Sequence, residues 1–85
     1  MYKVILHRDA IKDYKNLDIR LKTRVNKAIE TLKENPYYGS NIKRLTGKLA
    51  GMYRYRVGDF RIIYEIHEDI NTVRVKIIES RGGVY

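Results

Sequence analysis

Along the first half of the chain apolar residues recur at helical spacing, and along the second half they alternate with polar ones. The run Tyr2–His7 (YKVILH) mixes β-branched and aromatic residues and stops at Arg8-Asp9, which predicts a strand. Asp9 is placed to cap a short helix whose apolar positions are Ala10, Ile11, Tyr14 and Leu17. Asp18 starts a longer helix, with Leu21, Val25, Ala28, Ile29 and Leu32 forming one apolar stripe. Asn35-Pro36 ends it, because the residue before a proline avoids helical dihedrals. Its other side carries Arg20, Lys22, Arg24, Lys27, Glu30, Lys33 and Glu34.

After a loop holding Gly39, Gly47 and Gly51, the period becomes two. Tyr53–Val57 alternates as YRYRV, Gly58-Asp59 supplies a turn, and Phe60–Ile66 follows as FRIIYEI. A turn at Glu68–Asn71 leads to Thr72–Glu79, with Val73, Val75 and Ile77 expected on one face. Three strands with short turns form a meander whose apolar face needs a cover, and the helical hairpin is the available one. The predicted class is α+β in the order β-α-α-β-β-β, an antiparallel sheet covered on one face by the N-terminal helices.

A two-residue turn at Gly58-Asp59 pairs Val57 with Phe60, Arg56 with Arg61, Tyr55 with Ile62 and Arg54 with Ile63. Tyr53, Tyr55, Val57, Phe60, Ile62 and Tyr64 then share one face, and Arg54, Arg56 and Arg61 share the other. Like charges opposite each other across a hairpin are destabilising. An anion held between Arg56 and Arg61 removes that cost and adds charge-assisted hydrogen bonds. A merely solvated polar face is the bland alternative.

Composition narrows the choice. Eighty-five residues predict one domain with a thin core, so function is expected on an open face rather than in an internal pocket. The absence of cysteine excludes a disulfide framework and a thiolate metal site, and fits a reducing cytoplasm. The N-terminus lacks a signal-peptide pattern and the apolar runs fall short of a membrane span, so a soluble cytoplasmic protein without a membrane partner is expected. Lys and Arg number 18 against 10 Asp and Glu, a net charge of +8. Such a domain attracts polyanions, nucleic acid first among them; a surface rich in charge for thermal stability is the competing explanation. Eight tyrosines add stacking surfaces for bases, although several must lie in the core.

Other residues carry weaker signals. His7 and His67 are the only imidazoles, without obvious ligand partners, so no metal and no cofactor are expected. Glu65 shares the predicted face of Arg61 and is expected to be its ion-pair partner, with a weak base the alternative. Lys43, Arg44 and Lys48 in the loop are candidate contacts to RNA phosphates, with simple solvation the alternative. Gly82-Gly83 would let the chain turn back so that Tyr85 reaches the arginine face; a frayed end is the alternative.

The run from Gly51 to Glu65 (GMYRYRVGDFRIIYE) resembles the central hairpin of the RelE/ParE toxin superfamily. Lys43-Arg44-Leu45-Thr46-Gly47 is similar to the loop before that hairpin, and Arg81-Gly82-Gly83-Val84-Tyr85 to its arginine-to-tyrosine finish. Length and element order agree as well, so the resemblance covers nearly the whole chain.

The resemblance implies a toxin that enters the ribosomal A site and cleaves mRNA by metal-independent attack of a ribose 2′-hydroxyl on the adjacent phosphate. Carried over by position, Arg54 and Arg56 match two basic residues of the hairpin and Arg61 the arginine that stabilises the transition state. Arg81 matches a proton donor or second clamp, and Tyr85 a tyrosine that stacks on a base or helps activate the nucleophile. Arginine is a poor proton shuttle, so such a site relies on electrostatics and positioning more than on acid–base exchange. Two alternatives stand beside it: a ParE-type inhibitor of DNA gyrase, and a non-catalytic basic module that binds nucleic acid. The resemblance also implies a RelB-like antitoxin whose acidic segments wrap the toxin, with operator DNA bound only through the antitoxin complex.

Overall fold

A computed structural model of the chain describes residues 1–80; the expected roles of Arg81 and Tyr85 fall on residues outside this range. Strand β1 (Lys3–Leu6) leads into helix α1 (Arg8–Lys15), helix α2 (Ile19–Glu34) and strands β2 (Ile42–Arg44), β3 (Tyr53–Val57), β4 (Phe60–His67) and β5 (Thr72–Ser80). The five strands form one sheet in the order β1-β5-β4-β3-β2. No helix among the described residues is long and apolar enough to cross a membrane.

The local signals place the helices well. Asp18 caps α2 by accepting a hydrogen bond from the Leu21 amide at 2.8 Å, and Asn35 closes the helix before Pro36. Val25, Ala28 and Leu32 of the stripe are buried. At α1 the cap lies two residues earlier than expected: the His7 ring Nδ1 accepts from the Asp9 amide at 3.2 Å. Asp9 stands instead in the first turn, where its carboxylate favours the positive end of the helix.

Helices and sheet enclose a core of Ala10, Val25, Ala28, Leu32, Val57, Ile62, Tyr64, Val73, Val75 and Ile78. Tyr64 is fully buried, yet its hydroxyl donates to the Pro36 carbonyl at 2.8 Å, which satisfies the polar end and pins the loop after α2 to the sheet. Burial pushes the Tyr64 phenol pKa up, so the hydroxyl stays a donor. Tyr53 stacks on Tyr64 at a centroid distance of 5.8 Å and Tyr37 meets Tyr53 edge-on at 5.8 Å, extending the core to the surface.

Three features depart from the sequence expectation. First, the sheet is mixed: β1 runs parallel to β5, pairing Val4 with Val73 and Leu6 with Val75, while the other pairings are antiparallel. Hairpin signals report neighbours in sequence and carry no information on this distant pairing. Second, Ile42–Arg44, expected to be loop, forms an edge strand against β3. Third, β5 contains a bulge opposite Ile63/Tyr64, which leaves Lys76 without a cross-strand partner. A bulge of one residue exchanges the two faces of everything beyond it. Ile78 therefore joins Val73 and Val75 in the core, whereas Ile77, expected beside them, pairs with Ile63 on the opposite face.

Candidate nucleic-acid interface

The β3–β4 hairpin has the expected register, with Arg54 opposite Ile63, Arg56 opposite Arg61 and Val57 opposite Phe60. Gly58 adopts φ +59 at the first turn position, the left-handed conformation a type II′ hairpin turn requires and glycine supplies without strain. Alternation then directs Arg54, Arg56 and Arg61 to the face turned away from the helices. Strand β2 adds Lys43 to this face, directly opposite Arg54.

These side chains converge on a groove of about 440 Å³ lined by Lys43, Arg44, Arg54, Arg56 and Arg61, with Leu45, Thr46 and Leu49 completing its wall. No carboxylate lines it among the described residues. Lys48 sits on the 3₁₀ turn at Gly47–Leu49, exposed, and does not line the groove. The face is not wholly polar: Ile63, between Arg54 and Ile77 in the register, is 1% exposed and gives the arginines an apolar neighbour.

Two of the cations are held in place. Arg54 donates from Nη1 to the Asn41 carbonyl at 2.8 Å. Arg61 donates from Nε to Glu79 Oε2 at 2.6 Å, and its Nη2 lies 2.5 Å from the same oxygen. Glu79, not Glu65, is thus the partner of Arg61. Glu65 contacts His67 Nε2 at 2.9 Å and stands opposite Arg74. The bulge decides this exchange. With the β4–β5 register of the His67 end continued unbroken, Ile78 would face Arg61; the extra residue brings Glu79 there instead.

Arg61 accordingly lies between Arg56 on one strand and Glu79 on the other. The carboxylate offsets the like-charge cost that the hairpin alone would carry. It also occupies one edge of the guanidinium, leaving donors on the rest of the fork. Glu79 was missed in the sequence because its position depends on the bulge, for which β5 offers no glycine or other local mark.

A larger concavity of about 730 Å³ lies toward the β1 edge of the sheet, lined by both histidines with Arg8, Asp9 and Arg74 among others. It is larger but mixed in charge, and no group of three His, Cys, Asp or Glu side chains among the described residues is arranged to hold a metal. Among the described residues five cations and no carboxylate line the smaller groove, and that excess of positive charge makes it the candidate anion site.

Comparison with known proteins agrees with the fold. Residues 4–85 match the family described as the ParE toxin of the type II toxin-antitoxin system parDE. The chain is 35% identical over 86 aligned residues to the protein named toxin RelE1 of Methanocaldococcus jannaschii, covering 99% of this chain and 94% of that one. A chain in the crystal structure of the toxin-antitoxin complex RelBE2 from Mycobacterium tuberculosis superposes with a TM-score of 0.81 at 28% identity, covering 94% of this chain and 98% of that one. A chain in the archaeal RelE-RelB complex from Pyrococcus horikoshii gives a TM-score of 0.83 at 24% identity over 98% of both chains, a likeness of fold. A basic groove on the open face of this sheet, a helical hairpin on the other, and matches spanning nearly the whole chain place the protein in the RelE/ParE superfamily of toxins of type II toxin-antitoxin systems.

Proposed function

We propose that this toxin is a ribosome-dependent mRNA endonuclease that cuts in the A site by metal-independent attack of a ribose 2′-hydroxyl on the adjacent phosphate. The observation that carries the reading is the convergence of Lys43, Arg44, Arg54, Arg56 and Arg61 on one groove. A protein that only docks on another protein has no need of such a cluster.

In the proposed reaction the 2′-oxygen bonds to phosphorus, the phosphorus–5′-oxygen bond breaks, and the products are a 2′,3′-cyclic phosphate and a 5′-hydroxyl. The proton lost by the 2′-hydroxyl is balanced by one gained at the leaving 5′-oxygen. Negative charge grows on the phosphorane oxygens, where Arg61, oriented by Glu79, presents its remaining N–H donors. Arg54 and Arg56 hold the flanking negative charge. Arg81 as proton donor or second clamp and Tyr85 as base platform or activator complete the proposed set. The ribosome supplies the alignment of nucleophile and phosphorus.

A translation extract programmed with a defined mRNA tests this reading. Codon-specific cleavage that vanishes in Arg61→Ala and Arg81→Ala is the expected result. Intact mRNA together with inhibited supercoiling by DNA gyrase would replace it with the ParE-type reading.

We further propose that the chain is silenced by a RelB-like antitoxin, as the RelBE2 complex pairs a toxin with an antitoxin. The net charge of +8 favours acidic antitoxin segments, and operator DNA would be reached through the antitoxin.

A further inference from the structure

The positive surface continues past Arg56. Strand β2 stops at Ile42, opposite Tyr55, so Arg56 and Val57 extend beyond the edge strand. Arg56 consequently lines two grooves: the one on the open face and a second, of about 370 Å³, between α2 and β3. Arg24, Lys27, Asn41 and Tyr55 line this second groove with it.

Arg24 and Lys27 stand three residues apart on α2 and so point the same way. The Arg24 guanidinium rests against the hairpin turn, where a Cβ added to Gly58 would lie 2.9 Å from Nη1. Among the described residues no carboxylate forms an ion pair with Arg24, Lys27 or Arg56, Asp59 of the adjacent turn included. The structure thus holds three unneutralised cations along a groove that wraps the sheet edge, with a half-buried tyrosine ring among them.

We infer that this second groove is a binding site for the single-stranded RNA chain adjoining the scissile phosphate. Arg24 and Lys27 hold backbone phosphates there, and the half-buried Tyr55 ring forms part of the wall beside them. Arg56, shared by both grooves, makes the path continuous. The inference rests on RNA being the substrate and extends that reading from one phosphate to a stretch of chain.

Fluorescence anisotropy of a labelled single-stranded oligoribonucleotide, titrated with the purified protein at several salt concentrations, tests it. Each neutralised phosphate of a single strand contributes about 0.7 to the slope of log affinity against log salt. The double variant Arg24→Gln/Lys27→Gln is therefore expected to lower that slope by about 1.4. The control Lys12→Gln/Lys15→Gln removes the same charge from exposed positions of α1 and is expected to keep the wild-type slope. Equal slopes in both variants, or no binding by the wild type at low salt, overturn the inference. Binding to free RNA is read apart from cleavage. Absent cleavage would refute the nuclease reading and leave a slope difference standing, while an unchanged slope would refute the groove and leave cleavage standing.

Discussion

Arg61 of β4 and Glu79 of β5 face each other across the sheet, with Nε donating to Oε2 at 2.6 Å. The side chains are 36% and 26% exposed, so the pair sits at the margin of the groove, still open to water. Exposed pairs contribute little to stability, and the value of this one lies in orienting the guanidinium.

Glu79→Gln keeps the shape and removes the charge that anchors Arg61. Catalysis that depends on a fixed donor is expected to slow by about 10- to 100-fold. Affinity for RNA should hold or rise, because a negative charge has left the site. Single-turnover cleavage and RNA binding, measured side by side, separate the two effects; a wild-type rate would show that Arg61 orients itself without Glu79.

Arg61→Lys retains the positive charge but loses the planar fork. On the proposed nuclease reading, the cleavage rate is expected to fall nearly as far as in Arg61→Ala, by about 10²–10³-fold. Full activity in the lysine variant would mean that charge alone suffices. Rates at saturating ribosome concentration provide the measurement.

Tyr64→Phe removes the buried hydrogen bond to the Pro36 carbonyl and leaves that acceptor unpaired. A loss of about 1–3 kcal/mol is expected. Leu32→Ala opens a cavity in the core and is expected to cost about 2–5 kcal/mol. Urea unfolding of both variants checks the order, with Leu32→Ala the weaker fold.

Glu68 accepts hydrogen bonds from Tyr37 and Tyr2, and these hold its carboxyl pKa below the ordinary 4.5. The folded state therefore binds this proton less tightly than the unfolded chain. Its contribution to stability is present above pH 4.5 and is lost as pH falls through the depressed value. Urea midpoints of wild type and Glu68→Gln should differ near neutral pH and converge in acid. A gap that persists in acid would assign the effect to packing.

Much of this protein is written locally. The capping Asp18, the stripe through Val25, Ala28 and Leu32, and the stop at Asn35-Pro36 define α2 from its own residues. Strict alternation around Gly58-Asp59 sets Arg56 against Arg61 and turns the tyrosines inward, because side chains on neighbouring strands share a face once the turn length is set. The candidate arginines of the hairpin were legible for that reason.

Tertiary structure decided what local periodicity does not encode. Ile42–Arg44 is too short to declare itself a strand, and only pairing with β3 brings Lys43 beside Arg54. The parallel pairing of β1 with β5 joins segments from opposite ends of the chain. The bulge at Lys76 arises where β5 meets β4, and that single extra residue buries Ile78 and delivers Glu79 to Arg61. Sequence alone determined which face the arginines occupy. The carboxylate that orients one of them came from a register set by distant pairing and by the packing of Ile78 into the core.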